Sequence, residues 1–200
     1  IDVSKAGLQK IYDRLDVKFD YWHGESYYND RLAGVVEEFL EKGIARESNG
    51  AICIFSGDSK PQEEDPFKVH KEDGWTDNPA IIRKADGGFL YATTDLAAVR
   101  FRVQELDGGR VIYVVDARQR DHFKDVFDAA RLIGWNTTAD GTESTLVHLG
   151  FGAVLGADKK PLKTRSGENF TLKDLLDEAC ERGTAEVTRR AADPNAPTHG

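Results

Sequence analysis

The sequence contains no methionine, only two cysteines and no long apolar run. No stretch approaches the roughly 18 consecutive apolar residues of a membrane-spanning helix. The opening residues, IDVSKAGLQK, lack the apolar core of a signal peptide. Because Ile1 begins a chain without methionine, we expect the natural start to lie upstream. With no secretory signal, Cys53 and Cys180 are expected to be reduced thiols in a cytoplasmic protein.

Several functional motifs are also missing from the sequence. No Cys/His cluster has zinc spacing, so no metal site is predicted. Neither G-x-G-x-x-G nor a P-loop follows any apolar run, which disfavours dehydrogenases and P-loop NTPases. The net charge of −8 argues against a general nucleic-acid-binding protein. One local basic segment remains, with Lys159, Lys160, Lys163 and Arg165 within seven residues.

The composition is that of an ordinary folded protein, with 40% hydrophobic and 31% charged residues. Helical spacing of apolar residues predicts a helix over residues 4–15 and a firmer one after Asp30 that ends before Gly43. Residues 45–90 have a different texture, because short apolar runs alternate there with glycine, proline and acidic residues. We interpret this region as a small antiparallel β insertion containing a mobile polar loop or excursion, SGDSKPQEEDPFKVHKEDG.

Within the insertion, the DGG sequence at 86–88 predicts a hairpin turn between the apolar runs AIIRK and FLYAT. After it, helices are predicted over residues 94–106, with Leu106 on the apolar face, and over 121–133. The apolar run RVIYVV is typical of a buried parallel strand, and TLVHLGFG is predicted to be a second strand. The sequence therefore predicts an α/β protein with a parallel sheet, right-handed crossovers and a small antiparallel insertion.

The last predicted helix begins at Thr171, where Thr171 and Asp174 form a capping-box pattern. Four apolar residues are expected on its inner face: Leu172, Leu175, Leu176 and Ala179. In an α/β sheet, ligands bind beyond the carboxyl ends of the strands. The segments to inspect for function are therefore DARQRDH, after the first parallel strand, and AVLGADKKPLKTRSG, after the second.

Five segments occur in an order that resembles the arginyl-tRNA synthetase family, a family of class I aminoacyl-tRNA synthetases. They are FDYWHGESYY, GGFLYATTDLAAVRFR, VIYVVDARQRDHF, HLGFGAVLGADKKPLKTRSG and TLKDLLDEA. The resemblance covers about residues 16–183. It implies a Rossmann-type catalytic domain that activates arginine with ATP to arginyl-adenylate, then transfers arginine to the 3′ end of its tRNA. The implied partners are L-arginine, ATP with Mg²⁺ and arginine tRNA, without a membrane or a tightly bound cofactor.

The sequence departs from the family pattern in two respects. It has no HIGH-type motif, which such enzymes carry in the first half of the Rossmann sheet. It also lacks the anticodon-binding domain that normally follows the catalytic domain. We therefore expect residues 1–183 to be the C-terminal half of a catalytic domain and residues 184–200 to be a linker. By itself, this piece is expected to be inactive.

The candidate arginine ligands are Tyr91, Asp95 and Gln119. A guanidinium ion removed from water requires a carboxylate partner, which Asp95 can supply. An Asp near a helix start is also favoured by the helix dipole alone, so a purely helical role stays open for Asp95. Tyr91, predicted to lie at the end of the FLYAT strand, is either a pocket residue or a core tyrosine. Gln119 is either a ligand of the substrate's amino and carboxylate groups or a surface residue.

The KKPLKTRSG segment stands where class I enzymes carry KMSKS, a loop that stabilises charge as pyrophosphate leaves. Lys160, Lys163 and Arg165 are the catalytic candidates, with Arg165 in place of the second lysine. A solvated basic turn is the alternative. The candidate ATP-binding residues are His122, His148, Gly150, Lys163, Thr164, Arg165 and Ser166. His122 could instead cap a helix, and His148 could be a core residue.

Two other functions remain open from the sequence. One is a different adenylate-forming transferase of the same superfamily, which would not select arginine over lysine. The other is a non-catalytic tRNA-binding or regulatory paralogue that retained the fold. An acidic pocket around Asp95 would favour the arginine enzyme.

Overall fold

The computed structural model describes residues 2–153, 155 and 171–192. The chain divides into two compact units, one formed by residues 1–21 with 154–200 and the other by residues 22–153. The helices are α1 (Asp2–Arg14), α2 (Leu32–Glu41), α3 (Tyr91–Arg100), α4 (Arg120–Ile133) and α5 (Leu172–Ala191). The strands are β1 (Ala45–Ser48), β2 (Ala51–Ile54), β3 (Lys68–Lys71), β4 (Gly74–Asp77), β5 (Ala80–Arg83), β6 (Arg110–Asp116) and β7 (Thr145–Phe151).

The predicted β insertion is present as two antiparallel sheets. β1, β2 and β5 form a three-stranded sheet in that order, and β3 pairs with β4 as a separate hairpin. The polar segment 56–74 was expected to be a mobile loop or excursion, and this prediction is wrong in part, because the segment contains the whole of β3. Phe67, just before β3, is 2% exposed, and its backbone N–H donates to Asp65 at 2.8 Å. That buried anchor draws the polar segment onto the protein and orders the hairpin.

The DGG turn forms as predicted, but the FLYAT segment after it is not a strand. Lys84 N–H donates to the Gly88 carbonyl at 2.8 Å, and Gly87 has the positive φ of +86° that such a turn requires. Pairing stops at a single bridge between Arg83 and Phe89, and α3 begins at Tyr91. Two residues into α3, the buried hydroxyl of Thr93 donates to the Ile82 carbonyl of β5. This contact ties the helix start to the sheet.

Past Arg100, the helix expected to run to Leu106 changes geometry. Phe101–Glu105 forms a π-helical turn, in which Phe101 and Val103 are buried. Leu106 was expected on the apolar face but is 39% exposed, because the helical path has ended before it. A π turn adds a residue to the helical repeat, so it shifts the face presented by the residues that follow.

The two parallel strands pair in the predicted way. β6 and β7 run in register from Arg110 opposite Thr145 to Asp116 opposite Phe151, with α4 as the crossover. One face of this pair packs on α4, where the Tyr113 ring lies 4.8 Å from that of Phe123. The opposite face is open among the described residues, and Val114 is 61% exposed. The prediction that RVIYVV is a buried strand is therefore wrong for this face.

The core of the 22–153 unit lies between α2, α3, α4 and the three-stranded sheet. Its most deeply buried large side chains include Val36, Phe39, Ile54, Ile82, Leu96, Val99, Val126 and Trp135. These residues come from all three helices and from the insertion. The insertion sheet and the helices therefore share one core, which holds α3 and α4 side by side.

The other unit contains α1 and α5. α5 begins with the predicted capping box, in which Thr171 and Asp174 each bond the other's backbone N–H. Arg14 of α1 donates to Asp177 at 2.6 Å and to the Cys180 sulfur at 3.4 Å. The expected inner face of α5 is not observed, because none of its residues is buried. α5 continues to Ala191, so the segment predicted as a linker begins as helix.

Candidate functional site at the start of helices α3 and α4

The predicted arginine ligands lie at two neighbouring helix starts in the 22–153 unit. Tyr91 and Asp95 belong to α3, and Gln119 is the residue that precedes α4 at the carboxyl end of β6. Asp95 is in the second turn of α3, and the first turn carries no acidic residue. A helix-dipole role for Asp95 is thereby weakened, since that effect is confined to the first turn.

Asp95 and His122 form a direct pair across the two helices. The Nε2 nitrogen of His122 lies 2.6 Å from Oδ2 of Asp95, and their side chains are 31% and 29% exposed. Among the described residues, no lysine or arginine forms an ion pair with Asp95. Buried carboxylates usually have a cationic partner. The half-buried carboxylate of Asp95 lacks such a partner among the described residues, so a cationic ligand can pair with it.

A wider group of polar side chains lies within electrostatic reach of Asp95. Burial raises the pKa of Tyr113 to about 12; the positive charge of Arg102 opposes that rise and the charge of Asp95 adds to it. Burial also raises the pKa of Tyr28, again with Arg102 opposing and Asp95 adding. The guanidinium of Arg102 lies 4.8 Å from the centre of the Tyr113 ring. Both tyrosines therefore stay protonated beside Asp95 at neutral pH.

Asp125 follows His122 by one helical turn and lines a small cavity of about 140 Å³. Apolar side chains, among them Ile54 and Leu96, form much of the remaining wall. Burial raises the pKa of Asp125 to about 6, although its neighbour His122 acts in the opposite direction. Two carboxyl groups with different environments thus flank the same imidazole.

Tyr91 lines an open cleft of about 520 Å³, which is distinct from the small cavity lined by Asp125, and Tyr91 is 73% exposed. Glu25, Asn29 and Thr94 also line this cleft. The interpretation of Tyr91 as a core tyrosine is wrong, because its ring is largely accessible. Its predicted position at the end of a strand is also wrong, since Tyr91 is the first residue of α3.

His148 and Gly150 line a cleft of about 420 Å³ between β7 and α4, together with Arg120, Lys124 and Arg131. The His148 ring stacks on Phe123, and its Nε2 atom is buried without a hydrogen-bond partner among the described residues. A Cβ atom on Gly150 would lie 2.9 Å from the Ala117 Cα. The missing side chain of Gly150 is therefore required by packing, whether or not a ligand also approaches it.

The five candidates of the KMSKS-like segment lie outside the described residues. They are Lys160, Lys163, Thr164, Arg165 and Ser166. Their predicted roles stay predictions.

Sequence reasoning missed Arg102, Tyr113, Tyr28 and Asp125. A signal existed for Arg102, which follows Asp95 by seven residues and so falls on a similar helical face. Tyr113 had no such signal, because buried and exposed residues alternate along β6 in the structure whereas the sequence VIYVV is apolar throughout. The pairing of His122 with Asp95 had no signal, because it depends on how two helices pack.

Within the described residues, no group of three or more His, Cys, Asp or Glu side chains could hold a metal ion. None of the described helices is both long enough and apolar enough to cross a membrane. Cys53 is buried and Cys180 is exposed, and neither forms a disulfide.

The parallel α/β sheet with its antiparallel insertion, and the polar groups beyond the end of β6, agree with a nucleotide-binding α/β catalytic domain. The family model described as "tRNA synthetases class I (R), catalytic domain" matches residues 1–196, so the chain belongs to this family. The predicted fold class and family are both confirmed.

The chain's relatives are arginine–tRNA ligases. It is 46% identical over 191 residues to the enzyme of Synechococcus sp. RCC307, covering 94% of this chain and 30% of that protein. It is 47% identical over 183 residues to the enzyme of Stutzerimonas stutzeri, covering 90% and 29%. The crystal structure of Plasmodium falciparum arginyl-tRNA synthetase matches with a TM-score of 0.66 and 29% identity, over 95% of this chain and 28% of that one. The chain thus spans about 30% of the length of the curated relatives it matches.

Proposed function

We propose that the complete protein containing this chain is an arginine–tRNA ligase, and that this chain supplies the pocket for the arginine side chain. The observation that carries the proposal is the half-buried Asp95 carboxylate, which has no lysine or arginine partner among the described residues. A guanidinium ion is planar and permanently charged, and it binds carboxylates through paired N–H donors. The 46% identity to a protein named arginine–tRNA ligase supports the same assignment.

The proposed reaction has two steps, and its nucleotide substrate is ATP accompanied by Mg²⁺. The arginine carboxylate attacks the α-phosphorus of ATP, which forms arginyl-adenylate as pyrophosphate leaves. A ribose hydroxyl at the 3′ end of the arginine tRNA then attacks the arginyl carbonyl carbon, and AMP leaves. Tyr91 and Gln119 would contact the amino acid beside Asp95. Lys160, Lys163 and Arg165 would stabilise the charge that develops on the leaving pyrophosphate. Four further residues would contact ATP: His148, Gly150, Thr164 and Ser166.

We propose a cytoplasmic location for this enzyme. The presence of two cysteines outside any disulfide is compatible with a reducing compartment.

The test is the substitution Asp95→Asn in the complete enzyme. The variant should raise the arginine KM in ATP–pyrophosphate exchange by about 10²–10³-fold, because removing one partner of a desolvated charge pair costs about 3–5 kcal/mol. The ATP KM should stay within about twofold. Asp73→Asn is the matched control, since Asp73 is exposed in the turn between β3 and β4.

An unchanged arginine KM in Asp95→Asn would make Asp95 a structural residue of α3 and remove the basis of the proposed pocket. A complete wild-type protein that catalyses no arginine-dependent exchange would favour the non-catalytic paralogue. Equal use of lysine and arginine would favour a different adenylate-forming transferase.

A further inference from the structure

We infer that His122 is a positioning residue for arginine recognition: its Nε2–H holds one oxygen of the Asp95 carboxylate and leaves the other for the substrate guanidinium. The inference rests on the proposed function of Asp95. It assigns His122 to the arginine end of the site rather than to ATP.

The contact geometry supports a fixed carboxylate. The Nε2–Oδ2 distance of 2.6 Å is that of a strong, charge-assisted hydrogen bond. An ionised carboxylate only accepts hydrogen bonds, so Nε2 must carry the proton. The carboxylate torsion of an aspartate is otherwise broad. One short bond to Oδ2 therefore selects an orientation in which Oδ1 remains available.

The imidazole is itself held in place by its surroundings. His122 is the third residue of α4, and its ring packs edge-on against the Phe123 ring at 5.1 Å. Phe123 is 3% exposed and contacts Tyr113 of β6. A chain of packed rings thus links the sheet to His122, so the imidazole is positioned before any substrate arrives.

The role differs from that of a counter-ion. The proposed role requires a hydrogen-bond donor at the position of Nε2 and does not require a positive charge there. An uncharged donor leaves the negative charge of the carboxylate for the guanidinium, whereas a lysine or arginine at this position would neutralise it. A neutral amide that reaches the same point in space should therefore replace His122, and a shorter amide should not.

The experiment uses four substitutions in the complete enzyme: His122→Gln, His122→Asn, His122→Ala and Asp95→Asn. Glutamine can place an amide N–H near the Nε2 position, and asparagine is too short to do so. We expect His122→Ala and His122→Asn to raise the arginine KM about tenfold, the scale of one lost hydrogen bond to a charged group. His122→Gln should stay within about threefold of wild type, and the ATP KM should change less than twofold in all four. His70→Ala, in the exposed hairpin strand β3, is the control.

Coupling between the two residues provides a second measurement. If His122 acts through Asp95, the double variant Asp95→Asn with His122→Ala should be no worse than Asp95→Asn alone. The positioning role would be overturned if the two substitutions raised the arginine KM by factors that multiply in the double variant. Equal increases in the arginine KM for His122→Gln and His122→Asn would also overturn it. A raised ATP KM with an unchanged arginine KM would also overturn the positioning role and would assign His122 to ATP binding. An arginine KM unaffected by Asp95→Asn would instead reject the proposed function itself.

Discussion

Helices α4 and α5 have similarly clear signals in the sequence but very different surroundings in the structure. α4 buries seven residues against β6, β7 and α3, and no side chain caps its N-terminus. α5 buries none of its residues, yet it has a complete capping box. Several ion pairs along α5 join residues three or four apart, among them Lys173–Asp177 and Arg182–Glu178.

The two helices are stabilised in different ways. α4 is stabilised by packing, which supplies most helical stability in proteins. α5 relies on its cap and on local ion pairs, each of which contributes only a fraction of a kcal/mol up to about 1 kcal/mol. The candidate site is at the start of α4 because a packed helix can hold Gln119 and His122 in a fixed geometry.

The largest expected difference between the two helices comes from a matched valine pair. Val126 of α4 is 1% exposed, and Val187 of α5 is 67% exposed. Val126→Ala should lower the free energy of unfolding by about 1–3 kcal/mol through lost burial and a residual cavity. Val187→Ala should change it by less than about 0.5 kcal/mol. Urea denaturation of the 200-residue chain measures both. Equal losses would mean that α5 has a packed face after all.

A smaller effect is expected at the helix N-termini. Thr171→Ala removes the capping side chain of α5 and should cost the helix about 1 kcal/mol. Gln119→Ala should leave the stability of α4 unchanged, because Gln119 makes no capping bond. Amide hydrogen exchange in the first turn of each helix reports the two effects separately. Faster exchange in α4 of Gln119→Ala, with unchanged exchange in α5 of Thr171→Ala, would mean that Gln119 stabilises its helix start and Thr171 does not.

The smallest expected effect is the acid sensitivity of α5. Hydrogen bonds from Arg189 and Arg190 lower the pKa of Glu186 from its ordinary 4.5 to about 2. A carboxyl with a lowered folded-state pKa stabilises the fold above its unfolded pKa, and this contribution disappears as the pH falls through the folded value. Amide protection of α5 should therefore fall slightly between about pH 4.5 and pH 2.

Two controls accompany the acid titration of α5. Glu186→Gln should remove this part of the pH dependence, and Glu181→Gln, at an exposed position on the same helix, should not. Added salt should reduce the effect, because exposed charges are screened. A pH profile that Glu186→Gln leaves unchanged would assign the acid sensitivity to other carboxyl groups.

Much of the fold could be predicted from local patterns in the sequence. Helical periodicity identified α2 and α4 closely, and the Thr171 capping box identified the start of α5. The alternation of β-rich runs with helices indicated the parallel pairing of β6 with β7. The errors occurred where tertiary contacts override local preference. Tyr91 begins a helix rather than ending a strand, and Phe67 draws a polar segment onto the protein.

The sequence by itself determined most of the helices and strands of this protein, its family and the residue types offered for arginine recognition, because periodicity, caps and motifs are local properties of the chain. Tertiary structure alone decided that His122 meets Asp95, since these residues are 27 positions apart on different helices. It also decided that Gly150 must lack a side chain beside Ala117 and that one face of β6 and β7 stays open among the described residues. Such facts depend on which helices and strands pack together, and no local pattern encodes that arrangement.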